Sequence, residues 1–443
     1  MFRLALRKLT RAATAIATST GSRTAVGGGF SRGTPSALSA PLSTGIRLYC
    51  AKNIPNANPV ALQMINYALG LARSQKSDES YAQALLVLEQ CLSSQSQEGH
   101  DTTIENSKGM VLLAISTLLS ECGNTDEAIH TLLRIQDLTS SSVGIRVAAV
   151  ESLVGLNLEL GLVDTSSVLA DNCLKLLEKE SQEVGDDFSF KVFNARAKAI
   201  KGLVELVQCD LESAKTFFQV CEEESCIGNA ALSYGEFLHT KRDFNSAKEV
   251  YRRVISGSSE KKDFSDPFAL AACNMASEEV LLGATCALGQ LESHLGNFGD
   301  AEEILTKALK QAEEHFGSYH PKVGIVLMCI ALMFRHKATS EHSSSLLIQE
   351  GLYRRALDLL KALPLETDGA KENVDKRDIV ALARGGYAET LRVQQSRRDE
   401  GERMRSWAQA AWRNRRLSLA EALDITEPCF KVPVIDARIC RVL

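Results

Sequence analysis

Proline is scarce in this chain, nine in 443 residues. Proline removes a helical N–H donor and clashes with the turn before it, so long proline-poor stretches of Ala, Leu, Glu and Lys favour helix. Aromatic residues make up only 6%, which suits helices packed through Leu and Ala better than a β-sandwich core. No run reaches the roughly 18 to 20 apolar residues of a membrane-spanning helix; Val111 to Leu119 is too short and soon meets Glu121. The twelve cysteines form no C-x-x-C pair and stand at no zinc spacing with a histidine, so reduced, buried thiols are expected. No phosphate-binding loop, dinucleotide fingerprint, H-E-x-x-H or G-x-S-x-G occurs. His315 and His320 flank a turn and read as a surface loop, and Glu278-Glu279 reads as a solvated helix face. An enzyme reading has no residue to stand on, and neither cofactor nor metal is expected.

Acids are missing from the whole N-terminal stretch. The first carboxylate is Asp78, whereas Arg3, Arg7, Lys8, Arg11, Arg23, Arg32 and Arg47 precede it among Ser, Thr, Ala and Gly. That composition is typical of an organellar transit peptide. Phe2, Leu4, Leu6 and Leu9 interleave with the cations, giving a short amphipathic helix suited to mitochondrial import; chloroplast delivery is the alternative. Arg47-Leu48-Tyr49-Cys50 resembles a matrix-processing site, with the cut expected between Tyr49 and Cys50. Removing seven positive charges from a formal net of −5 leaves the mature chain at −12. An acidic body makes a nucleic-acid partner unlikely, because phosphate contacts need local positive charge.

The remainder repeats itself. Asn297-Phe298-Gly299-Asp300-Ala301 leads through Leu305 to Ala308, with Leu288-Gly289 and Gly296 ahead of it. The same grammar recurs around Ala84, Ala128, Ala214, Ala247 and Ala356, with Gly202 and Gly235 at the small position of two units and Ser166 replacing the alanine in another. A small residue lets two helices of a hairpin approach closely, and apolar residues at i+4 and i+7 seal the inner face. The series resembles the tetratricopeptide repeat, and the stretch from Gly296 to Pro321 resembles the longer units of kinesin light chains. The family's first-position tryptophan is absent, and Glu292 stands at its tyrosine position in the best unit.

The resemblance implies an all-α, right-handed superhelical solenoid of about seven to eight antiparallel helix pairs, since one hairpin cannot bury its apolar face alone. The chain divides into a transit peptide at 1–49, a linker at 50–60, the repeat array at 61–415 and a capping segment at 416–443. Ser93 to Ser107, Ser256 to Asp266, Ala338 to Ser345 and Glu366 to Lys376 read as loops. The tail's Phe430, Val432, Val434 and Ile435 are expected to dock on the last helix.

Laying the family pattern onto the best units puts Asn229, Glu236, His239, Gln290, His294, Arg335 and His336 on the concave wall, formed by the first helix of each pair. They are the candidate partner-binding residues. One charge anomaly remains. Arg392, Arg397, Arg398, Arg403, Arg405, Arg413, Arg415 and Arg416 face only Asp399, Glu400 and Glu402 in a C-terminal segment whose Met404, Trp407, Ala408 and Ala411 share one helical face. That spacing is a packing face, with anionic lipid or RNA as the functional alternative. The function expected is a mitochondrial protein-interaction scaffold or assembly factor, holding a peptide or protein in its groove. The alternatives are an organellar RNA-binding repeat protein and a membrane-peripheral subunit.

Overall fold

The structure, a computed structural model, describes residues 56–95, 101–181, 188–222, 226–258, 266, 268–362, 364–365, 377–423 and 431–443. The transit peptide, its cut at Tyr49 and Cys50, the loop at 366–376 and Phe430 lie outside the described residues.

Among the described residues, sixteen helices form eight antiparallel pairs: α1 (Pro59–Gln75) with α2 (Asp78–Ser94), α3 (Thr102–Glu121) with α4 (Thr125–Leu133), α5 (Val143–Leu160) with α6 (Val163–Ser181), and α7 (Phe188–Val207) with α8 (Leu211–Phe218). Then come α9 (Gly228–Thr240) with α10 (Phe244–Ser258), α11 (Ser277–His294) with α12 (Phe298–Phe316), α13 (Pro321–Ser340) with α14 (Leu346–Leu359), and α15 (Arg377–Arg392) with α16 (Arg398–Ala411). Each first helix touches the first helix of the next pair, so these eight build one continuous inner wall. The chain is an all-α helical-repeat solenoid. A short α17 (Leu419–Leu423) and a two-stranded ribbon, β1 (Ile435–Asp436) and β2 (Arg441–Val442), follow the array.

Local chemistry sets the boundaries. Asn58 caps α1 through Val60 N–H with Pro59 in the first turn, Ser77 and Ser80 form a capping box on α2, and His320 caps α13 ahead of Pro321. The six repeat alanines, Ala84, Ala128, Ala214, Ala247, Ala301 and Ala356, and Ser166 are all at 0% exposure. A Cβ on Gly235 would stand 2.7 Å from the Tyr251 ring, and one on Gly289 would stand 2.6 Å from Leu305. Those glycines are required by how closely the helices of a pair approach.

Three expected loops are shorter than their polarity implied, one because residues 256–258 still belong to α10. Residues 102–107 belong to α3, because Asp101 caps that helix and its inward polar groups find partners: Glu105 accepts from Ser140 N–H, Asn106 from Ser142 N–H and Ser107 from Asn58 N–H. Residues 338–340 end α13. That helix is long and apolar enough to cross a membrane, but 61% of its apolar window is buried inside the array. Composition alone cannot tell a core helix from a spanning one.

The tail departs from expectation. Instead of docking on the last helix alone, it lies across the inner wall, meeting α9, α11, α13 and α15. Val434, Ile439 and Leu443 belong to the core of the middle pairs, while Ile435, Ala437, Cys440 and Val442 belong to that of the last ones.

Candidate functional site

The inner wall places all seven expected residues on three adjacent first helices: Asn229, Glu236 and His239 on α9, Gln290 and His294 on α11, Arg335 and His336 on α13. Four of them already hold the chain's own C-terminal region. The Gln290 carboxamide pairs with the backbone of Ile435 in both directions, donating to its carbonyl at 3.0 Å and accepting from its N–H at 2.8 Å. A side-chain amide thus does the work of a neighbouring strand. Arg335 Nε donates to the Leu423 carbonyl at 2.7 Å.

Arg438 carries the densest set of contacts. Its guanidinium donates to Glu236 Oε2 at 2.5 Å, to Asp436 Oδ2 at 2.8 Å, to Ser233 Oγ at 3.2 Å, and to Asn229 through both carbonyl oxygens. Arg438, Asp436 and Glu236 are each at 0% exposure. Burial pushes the Glu236 carboxyl well above the ordinary range; Arg438 opposes that rise and Asp436 adds to it. One guanidinium between two buried carboxylates favours a proton on one of them.

Lys322 anchors the turn of the ribbon, donating to the Ala437 and Arg438 carbonyls at 2.9 and 2.7 Å and pairing with Glu279 at 3.1 Å. Glu279 is therefore not on a solvated face: it is buried, and burial lifts its carboxyl to about 7 against the opposing charge of Lys322. Arg416 donates to the carbonyls of Val432 and Leu443, and Arg441 pairs with Asp378 at 3.4 Å.

The three histidines run in line across the wall. His239 Nε2 meets His294 Nδ1 at 2.9 Å, His239 Nδ1 meets Tyr251 Oη at 3.2 Å, and His336 Nδ1 meets Ser293 Oγ at 3.4 Å. Burial depresses all three, His294 to about 3. They are neutral polar packing groups at pH 7.

A different segment fills the wall's N-terminal half. Leu270, Ala272, Cys273, Asn274 and Met275, between α10 and α11, are each at most 3% exposed. Cys273 N–H donates to Thr117 Oγ1 at 3.0 Å, and Ser152 Oγ donates to the Ala272 carbonyl at 2.9 Å. Arg196 donates to the Leu270 carbonyl at 2.7 Å while paired with Glu151 at 2.5 Å. A Cβ on Gly155 would overlap Asn274 and Met275 at 2.4 Å.

A clasp then ties the first pair to the sixth. Arg73 on α1 bridges Glu121 at 2.7 Å and Glu278 at 3.1 Å, with His315 at 3.8 Å from Glu121. Burial alone would raise the Glu121 carboxyl, but His315 and Arg73 outweigh it and bring it down to about 2.

Asn229, Glu236, Gln290 and Arg335 of the expected partner-binding set are thus engaged by the chain's own C-terminal region. The segment that engages them was not foreseen from the sequence. The available signal was Asp436-x-Arg438, two charges inside the apolar run from Val432 to Cys440.

At the C-terminal end, α16 packs through Ala408 and Ala411, both at 0% exposure, and Arg384 lies 3.8 Å over the Trp407 ring. Arg397 pairs with Glu350 and Glu400 at 2.5 and 2.9 Å, while Arg398, Arg403 and Arg413 are exposed. Among the described residues no three His, Cys, Asp or Glu side chains are grouped so as to hold a metal ion.

No protein-family model matches the chain, and no curated protein matches it. Among solved structures it is similar to BtubC (BKLC) from P. vanneervenii, at a TM-score of 0.39 and 11% identity, over 56% of this chain and 90% of that one.

Proposed function

We propose that this chain is a protein-interaction scaffold or assembly factor of mitochondria, and that it meets its protein partner on its outer wall. The observation that carries the reading is Arg438, wholly buried between Glu236 and Asp436 on the wall where a groove ligand would sit. A peptide entering there must first expose those charges and the apolar residues beside them. Binding of that kind has to offset the whole cost of undocking a core segment. The outer wall carries no such cost. The organelle rests on the basic, acid-free stretch before Asp78.

The test is affinity purification of the tagged mature protein from isolated mitochondria, with nuclease and mild-detergent controls. A stable protein partner that survives nuclease and detergent supports the scaffold. Loss of everything captured on nuclease treatment points to RNA binding, and loss in detergent points to membrane attachment through the exposed arginines of α16. Faster hydrogen exchange of the Ile435–Val442 ribbon on adding the captured partner, showing that the partner displaces it, would return the partner to the groove.

A further inference from the structure

Arg196 on α7 has one nitrogen more than its partners use. Its Nε and Nη2 take both Glu151 oxygens and the Leu270 carbonyl. Its Nη1 has no hydrogen-bond partner among the described residues, although the side chain is only 5% exposed. A buried guanidinium N–H left unpaired costs stability, and an acceptor from outside the chain would remove that cost.

Arg196 lines a cleft of about 50 Å³ between the segment before α11 and the first turns of α9 and α11. Two helix N-termini open onto it. α9 begins after Ile227 and α11 after Ala276, neither with a side-chain cap, and Gly228, Asn229 and Ser277 of their first turns line the cleft. No described atom lies within 4 Å of the Cβ that Gly228 lacks, so the space beside that turn is free. The first turn of α9 holds no acid. α11 carries Glu278 and Glu279 there, but they are paired with Arg73 and Lys322, each at 3.1 Å. Arg196 and Glu151 cancel, and each helix end contributes roughly half a positive charge. One negative charge is left to be supplied.

The rest of the lining limits that anion. Phe268, Leu270 and Val280 give the cleft an apolar side. At roughly 10–15 Å³ for each water-sized atom, its 50 Å³ holds about four of them. Acetate has four heavy atoms, one of them a methyl group. Phosphate and sulfate have no apolar part to set against Phe268 and Leu270, and they lose more hydration on entry.

We infer that this cleft binds a small free carboxylate of the size of acetate. Its oxygens meet Arg196 Nη1 and the first-turn N–H groups of α9, and its carbon end meets Phe268, Leu270 and Val280. The site is independent of the scaffold reading.

The experiment titrates three probes into the full chain: isotope-labelled acetate, acetamide, which keeps the shape without the charge, and inorganic phosphate. Ligand-observed NMR should show acetate binding at about 1 mM or tighter, and about tenfold or more tighter than either of the others. Hydrogen exchange should show acetate protecting the segment from Phe268 to Met275 and the first turn of α9. Ala269→Leu, which fills the cleft from a half-buried position, should weaken acetate binding about tenfold or more at an unchanged thermal midpoint. Glu151→Gln has the opposite sign. It removes the carboxylate that competes for Arg196, so acetate should bind about tenfold tighter and raise the midpoint more than in the parent. Should Glu151→Gln fail to fold, the parent and Ala269→Leu decide alone. Acetamide or phosphate binding as tightly as acetate, protection elsewhere, or acetate binding untouched by Ala269→Leu overturns the inference.

Discussion

Along α9, α11 and α13 the inward Asn229, Glu236, Gln290, Lys322 and Arg335 are satisfied by the C-terminal segment of the same chain. On the outer wall, along α6, Val168 stands 59% exposed, with Leu169 and Leu176 half-buried on the same helix. The two surfaces belong to one array and one repeat pattern, yet they have exchanged the usual roles of inside and outside. Polar groups on the inner wall became core because they pair with other polar groups: Arg438 with Glu236 and Asp436, Gln290 with the Ile435 backbone, Lys322 with two carbonyls. A buried polar group is tolerated when each hydrogen bond lost to water is replaced. Val168 stays outside, whereas Ala170 and Cys173 of the same helix turn inward at 0% exposure.

The largest expected effect tests the inner wall. Arg438→Ala leaves two carboxylates facing each other without their cation, and should cost about 3–5 kcal/mol. Chemical denaturation of the variant should show it. Combining Arg438→Met with Glu236→Leu and Asp436→Asn removes the charges together and should recover most of that loss, because buried ion pairs and apolar replacements of similar volume are nearly equivalent. If the triple variant is as unstable as Arg438→Ala, the wall depends on the specific hydrogen bonds to Asn229 and Ser233, not on charge balance.

Acid and base should separate the inner wall from the clasp. Glu279, raised to about 7, favours the folded state while protonated. Its contribution is fully present below the carboxyl's unfolded value near 4.5 and is lost as pH rises through about 7. Glu121, lowered to about 2, behaves in the opposite sense: its contribution is present above about 4.5 and is lost as pH falls toward 2. Denaturation midpoints across pH should therefore flatten between 4.5 and 7 in Glu279→Gln and between 4.5 and 2 in Glu121→Gln. Flattening in the same window for both variants would refute the assignment.

Gln290→Ala comes next. It leaves the Ile435 N–H and carbonyl without partners in a closed site, a loss of about 2 kcal/mol, and it should speed hydrogen exchange across β1 and β2 before the helices respond. Exchange of the ribbon only on global unfolding would mean that the tail is no less stable than the helices beneath it.

These contrasts follow the line between what could and could not be read from the residues. Ala84, Ala128, Ala214, Ala247, Ala301 and Ala356 declared themselves because helix pairing is local: each alanine, the turn before it and the apolar residues after it lie within one hairpin. The face carrying Gln290 and Glu236 followed from the same register. Its occupant did not, since Arg438 and Asn229 are 209 residues apart and no period links them. Residues 102–107 misled for a related reason. Their polarity suggests a loop, but Glu105, Asn106 and Ser107 pair with backbone N–H groups from the turn before α5 and from the entry to α1.

The smallest expected effect is the one that sharpens the comparison most. Val168→Ser, on the outer wall at 59% exposure, removes little buried surface and should change stability by no more than about 0.5 kcal/mol. The identical replacement at Val434, at 0% exposure on the inner wall, deletes a buried side chain and adds a hydroxyl to an apolar site, and should cost about 2–3 kcal/mol. Side-by-side urea titrations of the two variants hold the chemistry constant and vary only the wall. Equal losses would mean that Val168 is covered in solution, either by a second copy of the chain or by a part of it outside the described residues. Repeating the titration over a hundredfold range of protein concentration separates those two, since only association between copies makes the midpoint depend on concentration.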